Sequence, residues 1–157
     1  ATRTGIIGVL ATRQTIASPR FARLAETWAN GARILAQPCP GLVEQIERGE
    51  LTSQKTHDLI ASFVRPLVEQ GADTLVLGCT HYPFVEPLIA SAAGPGVTLV
   101  NPAAAVAREL RRRLTESKLL APENHSGTTR FRTSGMPEQL AAMLATLGVQ
   151  GGQVRAL

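Results

Sequence analysis

Cys79, Thr80 and His81 place a thiol, a hydroxyl and an imidazole at consecutive positions, directly after the apolar run Asp73-Thr-Leu-Val-Leu-Gly78. A thiol acts as base or nucleophile only as its thiolate, and at its ordinary pKa only a few per cent is ionised at neutral pH. A neighbour must take the proton or stabilise the anion. His81 can do so, and a carboxylate such as Glu47 can orient the imidazole. Such a set supports thiol catalysis, for example hydrolysis with Cys79 as nucleophile and His81 as base. The competing reading is a small buried side chain at a strand end, with His81 capping a helix.

Three further groups of polar residues fall at the ends of expected strands. Thr12 and Thr15 follow the first strand and can give hydroxyls and backbone N–H groups to a substrate carboxylate. Both are also suited to capping the helix that follows. Cys39, held between Pro38 and Pro40, reads as structural. Asn101 precedes Pro102 and reads as a helix cap. His57 and His125 have no notable neighbours. No CxxC or HxxxH spacing supports a metal site.

The elements that must position these residues alternate between strand and helix. Strands are expected over 5–10, 32–37, 73–77, 97–100, 129–133 and 153–157. Helices are expected over 20–30, 42–48, 53–70 and 83–93, from 102, and over 137–147. Thr12 to Ala17 reads as a polar loop, Ser18-Pro19 as an N-cap with proline in the first turn, and Asn30-Gly31 and Gly71 as stops. Residues 122–128 read as a loop. This alternation predicts an α/β fold, a parallel sheet flanked by helices. Ligands then gather beyond the carboxyl ends of the strands. Cys79 would stand there, near a helix N-terminus that favours a thiolate.

Composition sets bounds on this reading. The 157 residues are 44% apolar and 18% charged, which argues against disorder. Aromatics make up only 4%, so Ala, Leu, Val and Ile must build the core. Two cysteines in a chain able to hold its own core predict reduced thiols rather than a disulfide framework. No apolar run approaches the ~18 residues of a membrane span, and no signal-peptide pattern opens the chain. The expectation is a soluble, cytoplasmic protein that engages no membrane. The net charge of +4 raises the question of nucleic acid. Its densest cluster is Arg108, Arg111, Arg112 and Arg113, off an apolar stripe of Val106, Leu110 and Leu114 and without stacking aromatics. That pattern predicts a solvated helix face and no nucleic-acid partner.

Five segments in order resemble bacterial glutamate racemases, in the aspartate/glutamate racemase superfamily. They are Gly8-Val-Leu-Ala-Thr-Arg-Gln-Thr15, Cys39-Pro40 with Glu47 beyond it, and Leu77-Gly-Cys-Thr-His-Tyr-Pro83. The stretch from Val100 to Glu109 and Arg130-Phe-Arg-Thr-Ser-Gly135 complete the set. The resemblance implies that Cys79 is one of two catalytic thiols, His81 its partner and Glu47 the group orienting His81. Thr12, Thr15 and Thr80 would contact glutamate. It further implies a cofactor-independent reaction without pyridoxal phosphate or metal. One thiolate removes the Cα proton and a thiol on the opposite face returns one, and the D-glutamate serves peptidoglycan synthesis.

The family's Asp-Ser-Gly, Pro-Tyr-Gly and Cys-Asn-Thr-Ala segments, the last holding the other thiol, have no counterpart here, and Cys39 matches a turn rather than a base. Asn101 stands where the family often has aspartate. The expectation is therefore the C-terminal part of a racemase. Residues 1–100 would be the complete second lobe, and 101–157 the return segment of a first lobe missing from this chain. Alone it should not racemise. Its exposed return segment suggests a homodimer or domain swap as a further partner arrangement. The rivals are a non-catalytic α/β binding module and the thiol hydrolase above.

Overall fold

The computed structural model describes residues 2–149 and 151–157, in two compact units, Ala1–Ala103 and Ala104–Leu157. In the first unit, β1 (Ile6–Ala11), β2 (Arg33–Pro38), β3 (Thr74–Leu77) and β4 (Thr98–Val100) form a parallel sheet in the order β2-β1-β3-β4. The helices that connect them are α1 (Arg13–Ile16), α2 (Pro19–Trp28), α3 (Leu42–Glu47), α4 (Gln54–Glu69) and α5 (Glu86–Ala93). The fold is the expected one: a parallel α/β sheet flanked by helices.

Local chemistry sets the boundaries. Ser18 and Ser53 accept hydrogen bonds from Phe21 N and Thr56 N, and so cap α2 and α4. Asn30 and Gly31 follow α2 with φ of 48° and 85°, the left-handed region that ends a helix. Two elements differ from expectation. The polar stretch after β1 contains a one-turn helix, α1, because the Thr12 hydroxyl accepts from Thr15 N and closes the turn. The segment after His81 starts as a 3₁₀ turn over Tyr82–Val85, and α5 begins only at Glu86. Pro87 has no N–H to give Pro83 O, so the α pattern cannot run through, and Glu86 N donates to Pro83 O instead.

The two sheet faces are covered unequally. On one, Gly8 lets α4 approach closely: a Cβ there would meet Leu75 Cδ2 at 2.5 Å and Leu67 Cδ1 at 2.9 Å. The core on this side includes Leu10, Ile60, Val64, Leu67, Leu75 and Ile89, each at most 2% exposed. Burying such a side chain contributes about 1.5–3 kcal/mol. On the other face, α2 leaves an apolar hollow of about 390 Å3 lined by residues including Ile7, Val9, Phe21, Ile34 and Val76.

Asp73 fastens the amino-terminal edge of the sheet. Its carboxylate accepts from Thr2 Oγ1 at 2.6 Å, Arg3 N at 2.6 Å, Thr4 N at 3.0 Å and Thr74 Oγ1 at 3.0 Å. The Thr2 hydroxyl above all, then the backbone donors and Thr74, hold this carboxyl well below its ordinary range, against the opposing effect of burial.

The second unit carries most of α6 (Ala103–Glu116), then β5 (Phe131–Thr133), α7 (Pro137–Thr146) and β6 (Val154–Ala156), with β5 and β6 paired in parallel. The arginine helix has the exposed character expected of it. Arg112 bonds Glu109 and Glu116, and Arg113 bonds Glu109, whose carboxyl is pulled down to about 2 chiefly by the Arg112 hydrogen bonds. No helix among the described residues is long and apolar enough to cross a membrane.

Candidate active site

Three strand ends deliver the candidate residues to one sheet edge. Ala11 pairs with Pro38, and Leu10 with Leu77. Continuing the register one step past Ala11–Pro38 and two steps past Leu10–Leu77 brings Thr12 level with Cys39 on one side and with Cys79 on the other. Backbone bonds hold the row: Cys39 N donates to Ala11 O at 3.0 Å and Gly78 N to Leu10 O at 2.8 Å.

Gly78 is the residue that sequence reasoning left without a role. A Cβ at Gly78 would lie 2.9 Å from Leu10 O and 3.1 Å from Ala11 Cβ. Only a glycine lets the turn carrying Cys79 close against β1, next to Thr12. The glycine ending an apolar run was visible, but its partner atoms lie on another strand.

Cys79 is partly exposed, and its Sγ lies 3.8 Å from His81 Nδ1. The other ring nitrogen, His81 Nε2, lies 3.2 Å from Glu47 Oε1. A carboxylate can only accept, so Nε2 carries the hydrogen toward Glu47, and in the neutral ring Nδ1 is then the acceptor that faces the thiol. The exposed Thr80 hydroxyl also lies 3.5 Å from His81 Nδ1. Glu47 reaches this place as the last residue of α3, whose Leu42, Gln45 and Ile46 are buried. The element after Cys79 is a single 3₁₀ turn rather than an α-helix, so the expected helix-dipole effect on the thiol is weaker than a full helix would give.

Thr12 and Thr15 are together at the same edge, with their hydroxyl oxygens 2.9 Å apart. Thr12 Oγ1 also accepts from Thr15 N at 3.2 Å, so it caps α1 while remaining partly exposed. Asn101 caps the start of α6 by accepting from Ala103 N, and donates from its amide to Glu86 Oε2 at 2.9 Å.

Cys39 has a different environment. It is 3% exposed, and burial pushes its thiol up to about 12, against the opposing effect of the neighbouring Tyr82 hydroxyl. Tyr82, wholly buried directly after His81, has its own hydroxyl pushed up by burial and by the nearby thiols. That hydroxyl meets no well-aligned partner among the described residues. Cys39 and Cys79 are both free thiols, each just past the end of a strand, with β1 between those two strands. Among the described residues, no group of three His, Cys, Asp or Glu side chains is arranged to hold a metal ion.

Known proteins share this arrangement of elements. The chain is 48% identical over 149 residues to the glutamate racemase of Herpetosiphon aurantiacus, covering 95% of this chain and 59% of that one. It superposes on the crystal structure of glutamate racemase isoform RacE1 from Bacillus anthracis with a TM-score of 0.87 at 28% identity, covering 100% of this chain and 59% of that one. It superposes on Escherichia coli glutamate racemase, solved with L-glutamate and the activator UDP-MurNAc-ala, with a TM-score of 0.79 at 26% identity, over 99% of this chain and 58% of that one. The chain thus spans well under two thirds of the length of these relatives. The model of the Asp/Glu/Hydantoin racemase family matches residues 1–110. With that match over most of its length, the chain belongs to the Asp/Glu/Hydantoin racemase family.

Proposed function

We propose that this chain is the C-terminal part of a cofactor-independent glutamate racemase, which interconverts L- and D-glutamate and supplies the D-isomer for peptidoglycan in the cytoplasm. The observation that carries the reading is the line Cys79 Sγ, His81 Nδ1, His81 Nε2, Glu47 Oε1, with steps of 3.8 and 3.2 Å, beside the Thr12–Thr15 pair.

In this reading the Cys79 thiol passes its proton to His81 Nδ1, and Glu47 holds the ring by Nε2–H. The thiolate then takes the Cα proton of glutamate from one face, leaving a carbanion at Cα. A thiol on the opposite face gives a proton to that carbon, which inverts the centre. Each base must be able to work as an acid in the reverse direction. Thr12, Thr15 and Thr80 supply hydroxyls for the substrate's polar groups.

The second thiol has to come from outside these 157 residues, because Cys39 is buried and its thiol is pushed up to about 12. Residues 1–100 then serve as the second lobe, and residues 101–157 as the return segment of the lobe that brings that thiol. The chain alone is inactive on this account.

The same thiol–imidazole contact would serve a thiol hydrolase. Deuterium exchange by the protein completed with the missing lobe separates the two: the racemase reading requires solvent deuterium at glutamate Cα, whereas a hydrolase gives an acyl adduct trapped on Cys79 and no exchange.

A further inference from the structure

The Cys79–His81–Glu47 line is assembled from two elements, the turn after β3 and the end of α3, and neither His81 nor Glu47 is itself buried. Groups that must meet within a few tenths of an ångström need a packed neighbour to hold them. Directly after His81 comes the bulkiest of the fully buried side chains, Tyr82, with no exposed surface at all. The other residues of the site give His81 no comparable anchor.

Tyr82 is tied to the site at its root and to a second strand end at its tip. Its backbone N donates to Cys79 O at 3.2 Å, and Phe84 N donates to His81 O at 3.1 Å, so the 3₁₀ turn is built on the two site residues themselves. Its hydroxyl neighbours the buried thiol of Cys39, at the end of β2, with β1 lying between β2 and β3 in the sheet. The same turn packs against α3, the helix that ends in Glu47. A rigid ring locked in a close-packed interior leaves its own backbone little freedom, and His81 is the adjoining residue.

We infer that Tyr82 is a positioning residue for the proposed racemase site: its buried ring, wedged between the turn after β3 and the end of β2, holds His81 where one imidazole faces both Cys79 and Glu47. The hold comes from the ring and not from the hydroxyl, which meets no well-aligned partner among the described residues. Phenylalanine therefore suffices at this position, and a smaller aliphatic side chain does not. The role in catalysis rests on the racemase reading, whereas the hold on His81 does not.

The test is long-range 1H–15N NMR of His81 in the 157-residue chain and its variants. Tyr82→Phe should keep the neutral ring in its Nε2–H form and melt no lower than the parent. Tyr82→Leu should give a mixture of tautomers, because the ring no longer meets Glu47. Cys39→Val, which enlarges the seat of the Tyr82 ring, should do the same and carries the test should Tyr82→Leu fail to fold. Ile60→Ala, a core truncation in α4, should lower Tm and leave the tautomer unchanged, which separates positioning from general loosening. A mixture already in Tyr82→Phe, or an Nε2–H ring kept in folded Tyr82→Leu or Cys39→Val, overturns the proposal. In the protein completed with the missing lobe, Tyr82→Leu should lower kcat about 10²-fold with KM little changed, and Tyr82→Phe should restore it. Parent-like racemisation by the completed Tyr82→Leu protein also overturns the proposal. Absence of exchange in the completed parent counts against the racemase reading instead, and the tautomer result still decides whether Tyr82 holds His81.

Discussion

Glu47 Oε1 stands 3.2 Å from His81 Nε2, on the side of the imidazole away from Cys79. The carboxylate comes from the last residue of α3 and the imidazole from the turn after β3, so their meeting depends on how α3 is seated. Replacing Glu47 with Gln removes the acceptor that holds the hydrogen on Nε2. The ring nitrogens of neutral His81, followed by long-range 1H–15N NMR, should then report a mixture of tautomers rather than the Nε2–H form. An unchanged tautomer in Glu47→Gln would show that the carboxylate does not orient the ring.

The two thiols should differ sharply in reactivity. Cys79 is partly exposed, whereas Cys39 is buried with its thiol pushed up to about 12. At pH 8 the native chain should react with one equivalent of a thiol reagent, lost in Cys79→Ser, and with two once denatured. Mild oxidation should give no intramolecular disulfide. A second fast native thiol, or a Cys39–Cys79 disulfide in the folded chain, would contradict the strand register.

Gly78→Ala puts a methyl group 2.9 Å from Leu10 O and 3.1 Å from Ala11 Cβ, both on the rigid β1. The backbone cannot yield as a side chain would, so β3 and the Cys79 turn must shift. The expected cost is about 1–3 kcal/mol by urea unfolding, with a changed rate of Cys79 alkylation. Wild-type stability and thiol reactivity together would show that the close approach is not required.

Asp73 gives a pH dependence of known sign. Its folded carboxyl is held below the unfolded value of about 3.9, so its contribution is complete above that pH and is lost as the pH falls further. Asp73→Asn should lower Tm at pH 7 and lower it somewhat less at pH 3, where the wild-type carboxylate has begun to lose its advantage. An equal drop at both pH values would mean that the ionised form matters little.

Much of the fold is legible in the residues because its signals are local. Ser18, Ser53, Asn30-Gly31 and Gly71 each announce a helix end through their own backbone chemistry. The α1 turn was hidden, because Thr12 has the same composition whether it caps four residues or sits in a loop. The 3₁₀ turn at Tyr82–Val85 was hidden by Pro83, which reads as an ordinary helix start, while Pro87 is what breaks the α pattern. At the site, residue types and strand ends were readable. The distances were not: Gly78 against Leu10, and Glu47 against His81, join residues far apart in the chain.

The most direct test measures deuterium incorporation at glutamate Cα in D2O. The chain is assayed alone, then together with the part of the Herpetosiphon aurantiacus glutamate racemase that lies outside the matched region. Alone it should give no exchange and no racemisation. The complemented protein should give both, and Cys79→Ser should abolish racemisation, with His81→Asn slowing it by about 10²–10³-fold. Racemisation that survives Cys79→Ser would contradict the assignment of Cys79 as one of the two bases.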